Sequence, residues 1–297
     1  MMKFPWPKLI PNARPGLGRF DLGHLRSRAR TVNEDAIRRL SDNAYLGDNL
    51  SVCRALGRYK MFVDTDDVNF SSHLLLDGFW EMWITEALVR YVGRGMRVID
   101  IGANLGFYTL LMADLVGPSG HVHAFEPTPR IVSRLNKSLQ VNGFANWVNV
   151  HAAPVTDQAD ALVDLIVPAS DPSHAAIGPV GSRQAGPGDQ LFTLRTVTVD
   201  ATIGDARIDF IKVDAEGAEF MIWRGMRGLI ARNQPLVIFL EFAAVRYPDP
   251  AGFLKEIHLA GFSLGWAAYT GQVEKLTSDE ILAADPHREW MLVLARS

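Results

Sequence analysis

One cysteine, Cys53, stands in the 297 residues, so no internal disulfide can form, and the Cys-rich spacings of zinc sites do not occur. That scarcity fits a reducing, cytoplasmic setting. Long apolar runs are missing as well. Stretches such as Leu236 to Phe239 fall far short of the ~18 residues that a membrane-crossing helix needs, so no transmembrane segment is expected. Positive charge is not in surplus: the formal net charge is -3, which gives no general attraction to phosphate backbones and points away from a nucleic-acid partner. Internal repeats and low-complexity tracts are also lacking. The first 30 residues carry seven Lys and Arg against Asp21 alone, yet they lack the apolar core of a signal peptide, so they read as a solvated, partly disordered tail, with contact to an anionic membrane surface or a partner as the alternative.

What is present is an ordinary globular composition, 48% hydrophobic, enough for a sizeable core. Residues 1–75 read as an N-terminal extension and cap. Within them NEDAIRRLSDNA is helical in pattern, and SVCRALGRYKMFVD breaks at Gly57 into two short strands around a turn. FWEMWITEALVRYV, residues 79–92, spaces its apolar positions as an amphipathic helix. From residue 97 strands and helices alternate: RVIDIG, FYTLLMADLV, HVHAFE, TPRIVSRLNKSLQVNG, WVNVHA. Such alternation predicts βαβ units and a mostly parallel sheet with helices on both faces. ALVDLIVP and LFTLRTVTVD are β-rich, and the stretch between them, 169–189, holds three prolines, three serines and four glycines and reads as a mobile loop. The rhythm resumes with strand IDFIKVD, a helix over 216–230, strand LVIFLEF and a helix over 249–260. FSLGW and WMLVLAR end the chain as strands, the last expected to run antiparallel. Residues 76–297 therefore read as one α/β domain.

The chemistry begins at VIDIGANLGFYT, where a buried strand ends in Asp100, passes through a glycine turn and opens a helix. Gly102 and Gly106 remove side chains where the backbone bends and a ligand approaches, and the helix start offers free N–H donors. A dinucleotide turn would read G-x-G-x-x-G, but here Asn104 replaces the middle glycine and Asp100 precedes the turn. A carboxylate there repels a pyrophosphate and attracts the ammonium and sulfonium of S-adenosylmethionine. The next strand ends in Glu126, 24 residues after Gly102, with Pro127 stopping it, and an acid at that place is positioned to accept both hydroxyls of a ribose. Read alone, Glu126 is equally a helix-start acid.

DIGANLGFYT, AFEPTP, IKVDAEGAE and LVIFLEF together resemble the successive blocks of the FkbM-type methyltransferases over about residues 75 to 245. The resemblance implies a class I methyltransferase with a Rossmann-like fold, S-adenosylmethionine as donor, and O-methylation of a hydroxyl on a small molecule such as a sugar or polyketide. It carries the donor site to Asp100, Gly102, Ala103, Asn104, Gly106, Glu126 and Pro127. GFWE resembles the block before the donor strand, which assigns Glu81 to the methionine part of the donor. The first 45 residues and 169–189 lie outside the resemblance and are expected to choose the acceptor.

Strand alternation in IDFIKVDAEGAE puts Lys212 and Asp214 on one face, with Asp214 at the carboxyl end where open α/β sheets bind ligands. Asp214 and Glu216 are the candidate bases for removing the acceptor proton, and Asp214 also borders the donor. The bland alternatives are a Lys212–Asp214 ion pair and first-turn acids at Glu216 and Glu219. Glu241 ends the next strand on the same edge; with Asp214 it could hold Mg²⁺, although no metal site is assigned. Phe79, Trp80 and Trp83 read as helix packing more than as a ligand cage, and His73 and His174 as loop histidines that could serve as bases, although a lone exposed histidine is usually uninvolved. Two other classes stay open, a nicotinamide-dependent oxidoreductase on the same fold and a non-catalytic scaffold. The sequence gives no oligomeric state.

Overall fold

The computed structural model describes residues 18–169, 175–182 and 184–296. Its helices are α1 (His24–Ser27), α2 (Arg30–Leu40), α3 (Phe70–Leu76), α4 (Met82–Leu88), α5 (Phe107–Val116), α6 (Pro129–Asn142), α7 (Val199–Ile203), α8 (Glu219–Gly225), α9 (Arg227–Arg232), α10 (Pro250–Leu259) and α11 (Ser278–Ala283). The strands are β1 (Asn43–Gly47), β2 (Leu50–Ala55), β3 (Tyr59–Asp64), β4 (Arg97–Ile101), β5 (His121–Phe125), β6 (Val148–His151), β7 (Leu162–Val167), β8 (Ala176–Pro179), β9 (Gln190–Arg195), β10 (Phe210–Val213), β11 (Leu236–Phe242), β12 (Ser263–Ala267), β13 (Val273–Lys275) and β14 (Trp290–Arg296).

Eight strands form the main sheet in the order β13-β12-β14-β11-β10-β4-β5-β6. The run β11-β10-β4-β5-β6 is parallel, and β14 joins β11 antiparallel. The expected class I α/β architecture with an antiparallel C-terminal strand is thus the observed one. Strand alternation divides the core between the two faces. Val98, Val122, Ala124, Phe210 and Phe239 pack with α5 and α6. Ile99, Ile101, Phe125, Ile211 and Val213 pack with α8, α9 and α10.

The cap residues fold as β1-β2-β3 with α1, α2 and α3, and Gly57 makes the turn between β2 and β3 with φ +59°. Leu25, Ile37, Cys53, Met61 and Leu74 share one continuous core with Leu110, Leu135 and Val98. Polar contacts reinforce this docking. Asp114 on α5 receives Arg58 Nε at 3.1 Å and the Tyr59 hydroxyl at 3.0 Å, and Ser138 on α6 receives the Phe62 amide at 3.0 Å.

Several boundaries differ from the expectation. The helix of 79–92 is regular only over Met82–Leu88; Glu81, left-handed at φ 37°, delays its start. The single helix of 216–230 is two, α8 and α9, broken at Met226. LFTLRTVTVD is a strand only to Arg195; Thr198 then caps α7 by accepting the Ala201 amide. The stretch 169–189 is not simply a loop: Ala176–Pro179 pairs with β7, which also pairs with β9, as a separate three-stranded sheet. Asp164 ties that sheet by accepting the Gly181 amide and the Thr193 hydroxyl. The basic residues before position 18 and His174 lie outside the described residues.

Candidate active site

A cavity of about 430 Å³ opens at the carboxyl ends of the parallel strands, within the size range of cofactor sites. The parallel register brings the ends of β4, β5, β10 and β11 to one edge, so residues far apart in sequence meet there. Gly102, Ala103 and Asn104 form its floor, Glu126, Pro127 and Thr128 one side, and Asp214, Ala215 and Glu216 the other.

The first turn is built by close approach. Gly102 has φ +76°, and a Cβ there would lie 1.7 Å from the Asp214 carbonyl oxygen, so the turn after β10 sits directly on it. Asn104 is left-handed at φ 48°; its side-chain oxygen accepts the Leu105 amide at 2.8 Å, while its own amide donates to Glu126 Oε2 at 3.0 Å. Glu126 Oε1 accepts the Thr128 amide at 2.8 Å. One backbone donor on each oxygen leaves lone pairs for a ligand. Burial holds the Glu126 carboxyl above its ordinary pKa, against those hydrogen bonds. The Thr128 hydroxyl beside it is buried with no protein partner.

Asp100 and Gly106 lie behind the turn and do not line the cavity. Strand alternation turns Asp100 toward α5, where Oδ2 accepts the Thr109 hydroxyl at 2.6 Å and Oδ1 has no partner. Burial raises its pKa, opposed by Lys212. Gly106 begins α5 at φ +97°, and a Cβ there would meet the Leu135 side chain at 2.3 Å.

Lys212, fully buried, donates to Asp214 Oδ2 at 2.8 Å and stands 4.7 Å from the centre of the Tyr108 ring. Burial opposes its charge, but Asp214 and Asp100 outweigh that and hold its pKa up. The pairing named as an alternative for Asp214 is therefore present, and Asp214 still borders the cavity. Glu81 comes from outside the βα units and accepts the Tyr108 hydroxyl at 3.1 Å. Burial, reinforced by Asp214, pushes its carboxyl up to about 7.

Glu216 and Glu241 share Arg246, which reaches Glu216 at 3.3 Å, Glu289 at 2.8 Å and Glu241 in a short contact. Burial and Asp214 hold Glu241 well above the carboxylate range despite that arginine. Among the described residues no three His, Cys, Asp or Glu side chains are arranged to hold a metal ion.

Sequence reasoning missed Val68, Asn69 and Phe70 in the wall; it singled out His73 and Trp80, but His73 lies on α3 and not in a loop. Val68, Asn69, Phe70, His73 and Trp80 all line the cavity, with Trp80 5.2 Å from Phe70 and 5.3 Å from His73 between ring centres. Trp80 precedes α4, so helical packing does not account for it. Leu165, Ala175 and Ile177 close the opposite side, and of these only Ala175 and Ile177 fall in 169–189. No spacing signal marks these contacts, because they join segments far apart in the sequence.

The family described as Methyltransferase FkbM domain matches residues 100–264. Among curated proteins, a protein-L-isoaspartate O-methyltransferase of Methanothrix thermoacetophila is 38% identical over 52 residues, 18% of this chain and 25% of that protein. The tRNA wybutosine-synthesizing protein 2 homolog of Danio rerio is 27% identical over 149 residues, 48% of this chain and 34% of that protein. The chain spans about a quarter of the length of the isoaspartate enzymes it matches. Among solved structures, a SAM-dependent O-methyltransferase of Thermotoga maritima aligns with TM-score 0.41 at 13% identity over 73% of this chain and 65% of that one. A putative rRNA-methylase of Clostridium thermocellum aligns with TM-score 0.43 at 12% identity over 71% and 92%.

Proposed function

The chain belongs to the FkbM methyltransferase family and uses S-adenosylmethionine, and from that premise we propose that it methylates a hydroxyl group on a small molecule held in the cavity beside Asp214. The observation that carries the reading is Glu126, buried, facing the cavity, and held by the Asn104 and Thr128 amides. Fixed in that way it can accept two hydroxyls of a ribose, and the Thr128 hydroxyl supplies a further unpaired group. Apolar Phe107, Phe125, Ile131 and Val155 suit an adenine ring. Asp214 gives the negative surroundings that an ammonium and a sulfonium require, with the Glu81 carboxyl beside it as a hydrogen-bond partner. The donor, when bound, supplies an electrophilic methyl group.

The chain's own residues then position an acceptor and take up its proton. Asp214, at the strand end, is the acceptor for that proton, with Lys212 holding its carboxylate in place; Glu216 stands beside it on the same turn. Asp100 supports the turn from behind through Thr109. Val68, Asn69, Phe70 and His73 of the cap, with Trp80 just after it, form the wall that selects the acceptor. Calorimetry is expected to show binding of S-adenosylhomocysteine and none of NAD, with Glu126→Ala weakening the former by roughly 1–3 kcal/mol. Tight NAD binding, or unchanged affinity in the variant, would place the pocket's ligand elsewhere.

A further inference from the structure

The turn that carries Asp214 and Glu216 is not self-supporting. Glu216 is left-handed at φ 51°, a conformation that costs free energy for a residue with a Cβ and persists only where surrounding contacts offset it, while Gly217 adopts φ 95° freely. Two groups supply such contacts from beneath. Glu219 is fully buried, and its Oε1 accepts the amides of Ala215 at 2.9 Å and Gly217 at 3.1 Å. Its Oε2 accepts the Tyr247 hydroxyl at 2.9 Å. Tyr247 lies beyond β11, its ring seated 5.0 Å from Phe242 and 5.2 Å from Phe253. Its chain neighbour Arg246 grips Glu216 on the same turn and Glu241 at the end of β11. Adjacent residues thus hold the turn twice, Tyr247 through the backbone by way of Glu219 and Arg246 through a side chain.

We propose that Glu219 and Tyr247 are positioning residues, a clamp that sets the 214–217 turn against Gly102 and thereby fixes both the donor floor and the carboxylates facing the acceptor. Neither lines the cavity. The inference rests on the reading of Asp214 and Glu216 above for its catalytic consequence, but not for its structural one. The geometry favours this role over a general contribution to stability because Glu219 spends one oxygen wholly on the two amides that define the turn. Three of the carboxylate's four acceptor sites are filled by the turn and by Tyr247, and its full burial away from the cavity keeps it from a ligand, so it orients its partners.

The distinguishing experiment combines hydrogen exchange at the Ala215 and Gly217 amides with calorimetry of S-adenosylhomocysteine. Glu219→Ala is expected to raise exchange at both amides and weaken binding about tenfold, the loss of roughly one charged hydrogen bond. Tyr247→Phe, which removes only the hydroxyl, should move both readouts the same way by a smaller factor. Glu219→Gln keeps an oxygen for both amides and should rescue them to near the parent values. Failure of Glu219→Ala to expose the two amides, or equal damage in Glu219→Gln, would overturn the clamp. If the parent protein binds no S-adenosylhomocysteine, the donor-site reading fails while the exchange data still decide the clamp. Should Glu219→Ala not fold, Tyr247→Phe alone settles it: unchanged exchange at both amides refutes the proposal.

Discussion

Two glycines with the same backbone angle separate conformational strain from close approach. Gly102 and Gly143 both have φ +76°, yet a Cβ at Gly143 meets nothing within 4 Å, whereas at Gly102 it would lie 1.7 Å from the Asp214 carbonyl oxygen. Gly143→Ala should therefore cost only the left-handed penalty, about 1–2 kcal/mol. Gly102→Ala should add an overpacking cost of about 1–3 kcal/mol, since the obstacle is backbone that cannot rotate away. Urea unfolding of the two variants measures the difference. Equal losses would mean that the turn after β10 can slide off the first glycine turn. The same close approach explains why a sequence pattern of glycines is informative: position 102 tolerates no side chain because a second strand end already occupies the space.

At the scale of elements, the β5–β6 edge carries a device that the site does not use. His121 and His123 on β5 have ring centres 4.6 Å apart, and His123 Nδ1 lies 3.1 Å from His151 Nε2 on β6. His151 stacks at 4.5 Å on Phe125, which lines the cavity. Burial, with His121, His151 and Arg97 adding like charge, lowers His123 to about 4; burial also lowers His121 and His151. Because the unfolded chain binds a proton on His123 near pH 6.5 and the folded chain does not, stability is fully present above that pH. It is lost as the pH falls from about 6.5 toward 4. One such proton gives a slope approaching about 1.4 kcal/mol per pH unit. His123→Gln should flatten that part of the stability profile, measured by thermal or urea unfolding across pH 4 to 7. An unchanged slope would assign the acid sensitivity to other groups.

For the whole molecule, the continuity of the core across the cap decides how it unfolds. Leu25, Ile37, Cys53 and Leu74 are buried in one cluster with Leu110, Leu135 and Val98, so the cap has no separate core to keep when the α/β part opens. Asp114 is the polar centre of that junction, accepting Arg58, Tyr59 and Arg19. Asp114→Ala strands Arg58 and the Tyr59 hydroxyl and should cost about 3 kcal/mol. It should lower one shared transition, so that tryptophan fluorescence and far-ultraviolet circular dichroism still coincide. Two separated transitions would show that the cap folds as a unit of its own. Because Phe70 and His73 of the cap line the cavity, weaker docking should also weaken discrimination between acceptors.

The sequence by itself determined the strand–helix alternation, the glycine turn, and the acids at positions 126 and 214, because each is a local rule: a period, a stop, or a residue at the end of a strand. It also determined that Lys212 and Asp214 share a face, which the period of two fixes before any folding. The tertiary structure alone decided what those residues do to one another. Parallel register puts Asp214 beside Gly102, docking of the cap carries Phe70 and His73 to the cavity, and packing beyond β11 delivers Arg246 and Tyr247 to a turn some 30 residues earlier. The direction in which Asp100 points followed the same division. Its charge was legible, but its burial behind the turn depends on α5 lying across that face of the sheet and offering Thr109. Contacts between distant segments leave no local period, so only the folded chain records them.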